Sequence, residues 1–263
     1  MRELGNVNKI VIKVGTSSLV HTNGNLNLKI IEELVRVIAN LKNAGKEVVL
    51  VTSGAIGVGT KHLKLPAKPT DVKGKQAAAA VGQSVLMGIY GKIFSEYAHI
   101  VGQILITKDC LTNQEMRQNA INTFNTLLGL GVVPIVNEND TVVVYEIKLG
   151  DNDTLSAYVA NLIEADLLIL LTDVDGLYDR NPNEAGAKLI NEVREITDEL
   201  KASAGGAGSE GGTGGMTTKL MAVEIAAQSN TKTVIINSKN PALVYDVLDG
   251  KEVGTYFNIS NSK

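Results

Sequence analysis

Short apolar runs rich in β-branched residues alternate with stretches of helical spacing along nearly the whole chain. Residues 9–14 read KIVIKV. Leu28, Ile31, Val35, Ile38 and Leu41 then recur at helical spacing over 28–42, and Gly45 stands just past that helix's end. A second strand is expected over 47–52 (EVVLVT), and a long alanine-rich helix over 73–97, with Gly82, Gly88 and Gly91 allowing close packing. Further strands are expected at 100–107, 132–136, 166–171 (DLLILL) and 231–237 (TKTVIIN). Helices are expected at 115–130, 155–163, 216–228 and 241–248, the last opening on Pro241. Such alternation implies βαβ units and a mainly parallel sheet. Runs such as VVLV and LLILL are apolar on both faces, so helices should cover both sides of that sheet.

A chain of 263 residues can bury a sizeable core, and its net charge of −3 argues against a surface built to coat nucleic acid. Aromatic residues are 4% and tryptophan is absent, which weakens any scheme of stacking bases or sugars on rings. The single cysteine, Cys110, excludes an intrachain disulfide framework. No continuous apolar run reaches the roughly 18 residues of a membrane span, and the first residues show no secretory signal. A cytoplasmic protein, with neither membrane nor nucleic acid as partner, is the expectation.

Several familiar signatures fail. Each Gly-Lys pair lacks the Ser or Thr that a Walker A loop needs next. The GxGxxG of Gly206, Gly208 and Gly211 follows no strand. The DVDG at 173–176 lacks calcium ligands at the first and twelfth loop positions. His21, His62 and His99 fit no zinc or triad pattern.

Five polar, glycine-flanked segments remain, each at the C-terminal end of an expected strand or the start of a helix. Open α/β sheets bind ligands there. Lys13 lies inside an apolar run before Gly15, where its ammonium needs either an anion or an edge position facing water. Ser53, Gly54 and Ala55 end a strand and begin a helix, as an anion site or an ordinary serine cap. NEND (137–140) and GDND (150–153) are acidic-amide clusters flanking a hairpin-like segment at 141–149. They suit an amino group, a metal or lysine side chains. Thr172 and Asp173 end the most apolar strand. Thr213, Gly214, Gly215, Met216, Thr217, Thr218 and Lys219 lead from glycines into a helix with a lysine in its first turn, an anion cradle with a matching charge. The glycine patch at 202–215 is expected to be a mobile loop inside one domain.

In order along the chain, IVIKVGTSSL, VVLVTSGAIGVG, AAVGQSVLM, PIVNENDTV, GDNDTLSA, ILLTDVDGLY and TGGMTTKL resemble the amino acid kinase family, and within it the branch that phosphorylates glutamate. The resemblance implies a three-layer αβα sandwich around a mostly parallel sheet. It implies transfer from ATP, with Mg²⁺, to L-glutamate, giving L-glutamyl 5-phosphate in the first step of proline synthesis. By motif, Lys13 and Lys219 would contact the phosphates and Asp153 would orient both lysines. Ser53, Asp140 and Asn152 would bind glutamate, supported by Gly54, Ala55 and Asn137. Thr172, Asp173 and the 213–219 segment would bind ATP. The resemblance also implies a homo-oligomer and proline as a feedback inhibitor. The chain stops before the PUA domain that many bacterial members append, so one domain over 1–263 is expected. Acetylglutamate, carbamate and uridylate kinases, or a non-catalytic nucleotide or proline sensor, are the rival readings.

The chemistry agrees with these residue types. A glutamate γ-carboxylate, with a pKa of about 4.3, is already ionised at pH 7 and needs no general base. The obstacle is an anion approaching a polyanion, which paired lysines relieve by charge neutralisation.

Overall fold

The computed structural model describes residues 1–142, 151–204 and 215–259. Their strands are β1 (Lys9–Val14), β2 (Glu47–Val51), β3 (Val101–Ile106), β4 (Val133–Glu138), β5 (Leu167–Thr172), β6 (Glu192–Val193), β7 (Lys232–Asn237) and β8 (Thr255–Phe257). The helices are α1 (Thr16–Leu19), α2 (Leu28–Asn43), α3 (Ala55–His62), α4 (Val72–Ser95), α5 (Asp109–Thr112), α6 (Gln114–Gly129), α7 (Asn152–Ile163), α8 (Asp198–Ala204), α9 (Met216–Ala227) and α10 (Leu243–Leu248).

The strands form one sheet in the order β3-β4-β2-β1-β5-β7-β8-β6. All pairings are parallel except β7 with β8. Side chains alternate across the sheet, and the two faces bury separate cores. Ile10, Ile12 and Val14 of β1 pack with residues of α2, α4 and α10. Val11 packs on the other side with residues of α6, α7 and α9. This is the expected three-layer αβα sandwich. Lys13 shares its face with Val11 and therefore points beneath α7 and α9. β1 is central, between β2 and β5, which rules out an edge-strand lysine facing water.

Differences from expectation have local causes. α7 starts at Asn152, three residues early, because Asp151 caps it by accepting from the Thr154 N–H at 3.1 Å. Half of the GDND cluster is thus helix start. The 202–215 patch is helical up to Ala204, where α8 ends, and the rest up to 214 lies outside the described residues, as do the 143–149 part of the expected hairpin, Thr213 and Gly214. Pro241 sits in a turn two residues before α10.

Of Gly82, Gly88 and Gly91, the three glycines expected to allow close packing, Gly82 alone makes a close approach. A Cβ there would lie 1.8 Å from the Ala55 carbonyl oxygen, and one at Gly59 would lie 1.7 Å from that of Ala78, whereas Gly88 has nothing within 4 Å. The two helices therefore run antiparallel almost backbone to backbone. Among the described helices α4 alone is long and apolar enough for a bilayer, through its overall composition rather than a continuous apolar run. Here it buries Ala78, Ala79, Leu86, Tyr90 and Phe94 within the fold.

Candidate active site

The parallel register brings the C-terminal ends of five strands level. Lys13 pairs with Val51 and Leu170, Val51 with Val136, and Thr172 with Asn237. The chain moves to one side of β1 to make β2 and to the other to make β5, so a crevice opens at this edge.

Lys13 and Lys219 meet there. Lys13 Nζ lies 2.5 Å from Asp153 Oδ1, and Lys219 Nζ donates to Asp153 Oδ2 at 3.1 Å. All three side chains are at least nine-tenths buried. Burial would raise the Asp153 pKa, but the charges and hydrogen bonds of Lys13 and Lys219 together outweigh it and hold the carboxyl below its ordinary range. Thr218 sits beside them, its hydroxyl 3.4 Å from Asp153 Oδ2 and 2.8 Å from the Gly215 carbonyl. Two lysines on one carboxylate leave one net positive charge in a low-dielectric site, a setting for an anion.

The next residue joins this cluster to a second one. The Asn152 Nδ2 group donates to the Thr52 carbonyl at 2.7 Å, Ser53 Oγ at 2.8 Å and Asn137 Oδ1 at 2.9 Å. Asn137 in turn donates to Gln83 Oε1 at 2.9 Å. Thr52 Oγ1 and the Tyr90 hydroxyl lie 2.9 Å apart, both fully buried, and burial pushes the tyrosine up to about 12. Asp151 is mostly buried; desolvation, and secondarily the Asp153 charge, raise its pKa.

Helix starts differ in a telling way. α2, α4, α6 and α7 are capped by side chains of Asn27, Asp71, Asn113 and Asp151. α3 and α9 begin at Gly54 and Gly215 with no side-chain cap, as do the short helices α1, α5 and α10, and α3 and α9 both begin at this crevice. Gly54 takes φ 96°, a left-handed turn suited to glycine. Their first-turn N–H groups are left to a ligand or water.

At the β5 end, Thr172 is buried, its hydroxyl donating to Asp173 Oδ1 at 3.1 Å, and Asp173 is exposed. The Ser238 N–H donates to the Thr172 carbonyl, and Ser18 Oγ donates to Ser238 Oγ at 2.7 Å. Asp140 follows β4 and is half-buried, as is Met216, while Thr217 is exposed. Lys13, Asp153, Lys219, Asn152, Ser53 and Asn137 are thus brought together through direct contacts. Gln83, Tyr90 and Thr52 join them without having been named as site residues from sequence, and Asp151 joins them from the GDND cluster. Gln83 lies in the VGQS segment of the resemblance, but Tyr90 carries no signal beyond being a tyrosine in an apolar helix. Among the described residues no three His, Cys, Asp or Glu side chains converge as a metal cage.

Residues 8–237 match the model of the amino acid kinase family, and the chain belongs to that family. Within it, curated relatives at about half identity include glutamate 5-kinases. That of Listeria welshimeri is 52% identical, covering 98% of this chain and 95% of its own length. That of Clostridium acetobutylicum is 55% identical, with 97% and 96% covered. Solved structures share the fold at low identity. Carbamate kinase from Giardia lamblia bound to AMP-PNP gives a TM-score of 0.69 at 17% identity, covering 97% of this chain and 99% of its own. An isopentenyl phosphate kinase from T. acidophilum gives 0.66 at 16%, covering 95% and 100%.

Proposed function

We propose that the chain transfers the terminal phosphoryl group of ATP to the γ-carboxylate of L-glutamate, forming L-glutamyl 5-phosphate for proline synthesis. The observation that carries this reading is the Lys13–Asp153–Lys219 cluster, set between two uncapped helix starts and the amide network around Asn152. The relatives' identity as glutamate 5-kinases supports the choice of acceptor.

Lys13 and Lys219 neutralise the phosphoryl oxygens as the γ-carboxylate approaches, and Asp153 keeps the two ammonium groups from splaying. The first-turn N–H groups of α9 receive nucleotide phosphates, and Thr172 and Asp173 line the nucleotide's other end. Thr213 and Gly214 belong to the same proposed segment. The substrate's α-carboxylate lies against the N-terminus of α3 at Ser53, Gly54 and Ala55. Its ammonium faces acceptors from Asn152 and Asp140, with Asn137 holding Asn152 in place. No general base is needed, because the nucleophile is already ionised. Among the described residues no three carboxylate, imidazole or thiolate side chains converge, so a Mg²⁺ would ride mainly on the nucleotide's own oxygens, and no step is assigned to a protein-bound metal.

Proline carries the same α-carboxylate and a cationic amine but no γ-carboxylate, so it occupies the acceptor pocket without accepting phosphate. A panel of glutamate, aspartate, acetylglutamate, carbamate and UMP, with ADP release as the readout, tests the assignment. Release with glutamate above the others is expected. Preference for any other acceptor overturns it.

A further inference from the structure

Gln83 takes no part in the reaction as described, yet it ends the amide chain that reaches Asn152. It is 7% exposed, and its Oε1 accepts from Asn137 Nδ2 at 2.9 Å. The direction of that bond is forced. The Glu138 backbone N–H donates to Asn137 Oδ1 at 2.9 Å, which fixes the oxygen end of Asn137. The Thr52 backbone carbonyl accepts from Asn152 Nδ2 at 2.7 Å, which fixes the nitrogen end of Asn152. The Asn137 NH₂ is left facing Gln83, and only an oxygen can meet it there. Gln83 Nε2 is buried with no acceptor among the described residues. Turning the amide over would set donor against donor, so the network tolerates an orphaned donor at its end to keep Asn137 satisfied.

The backbone holds Gln83 in register. Its neighbour Gly82 abuts the Ala55 carbonyl, and Tyr90, two turns further along the same face of α4, holds Thr52. The buried face of one helix thus braces both β2 and β4 where they end at the crevice.

We propose that Gln83 is a positioning residue for the glutamate pocket. Its Oε1 holds the Asn137 amide, and through it Asn152, in the orientation that leaves the Asn152 carbonyl oxygen for the substrate ammonium. The Asn152 NH₂ group is engaged by three protein acceptors, so its oxygen is what it offers a ligand. This inference rests on glutamate being the acceptor. Because the chain of amides leads away from the lysines, the effect falls on glutamate binding and spares ATP.

The test is steady-state kinetics of wild type, Gln83→Met and Gln83→Glu, with both substrates varied. Methionine fills the space without an acceptor, and a glutamate side chain restores the acceptor without the orphaned donor. Gln83→Met is expected to raise the KM for glutamate roughly tenfold or more. Its KM for ATP should stay within about twofold of wild type, which also shows that the variant folds. Gln83→Glu is expected to recover most of the loss. An unchanged glutamate KM in Gln83→Met, equal rises for both substrates, or no recovery in Gln83→Glu overturns the inference. Absence of glutamate-dependent turnover in wild type overturns the underlying substrate assignment instead.

Discussion

Lys13 and Lys219, on the first strand and on α9 near the end of the chain, each take one oxygen of the Asp153 carboxylate, at 2.5 and 3.1 Å. The charge is assembled by the fold rather than by a local motif. Lys219→Ala should lower kcat by roughly a hundredfold or more, as for loss of a charge partner of the transition state. Near-normal turnover in single-turnover and steady-state assays would refute the role.

Asp153→Asn leaves two buried ammonium groups without a counter-charge. At neutral pH it should destabilise the protein by about 3–5 kcal/mol. The pH dependence has a definite sign. The folded carboxyl is held below its ordinary value of 3.8, so its stabilisation is complete above that value and is lost as pH falls through the folded one. Urea unfolding of both proteins at pH 7 and near pH 3 should show the gap narrowing in acid. A gap independent of pH would contradict the pairing.

Asn152→Ala removes three hydrogen bonds at the proposed ammonium site. The apparent KM for glutamate should rise at least tenfold or so, and far more than that for ATP. Asp140→Ala is expected to show the same asymmetry. Equal losses for both substrates would place these residues elsewhere.

Proline should inhibit competitively with glutamate, since its rigid ring loses little conformational freedom on binding. Initial rates against glutamate at several fixed proline concentrations should converge on one maximal rate. Full activity in millimolar proline would remove proline from the pocket and leave the kinase assignment standing.

Gly82→Ala forces a methyl group to within 1.8 Å of the Ala55 carbonyl oxygen, while Gly88→Ala meets nothing within 4 Å. The first should cost about 1–3 kcal/mol or more through overpacking, and the second should gain a few tenths to about 1 kcal/mol through helix propensity. Thermal melts of the two variants should move in opposite directions. A stable Gly82→Ala would mean the helices separate easily.

The long strands were legible because their burial is written as continuous apolar runs. β6 and β8 were not, being two and three residues long and defined by pairing, β6 with β8 and β8 also with β7. From sequence the Lys13 anomaly called for either an anion or an edge position, since an ammonium buried within KIVIKV is costly without a counter-charge, and the central place of β1 leaves the anion. The position of Gln83 had no such signal. Its meaning depends on Asn137, which lies on another element, and on a backbone N–H at Glu138 that no side-chain pattern reveals. Likewise Asp151 read only as part of the GDND cluster, because a helix cap and a ligand-gripping cluster draw on the same side chains.

The first strand made is the one that ends in the middle of the sheet. During synthesis β1 can pair with β2 early, since only α1 and α2 lie between them. Its other edge waits for β5, which ends at Thr172. Throughout that interval the nascent chain presents a six-residue, strongly apolar strand with unpaired amides, the kind of edge that recruits other chains. Yield in a cell should therefore depend on whatever shields this edge while α3 to α7 are translated. Truncations ending before Leu167 should aggregate, whatever the quality of their first βαβ unit.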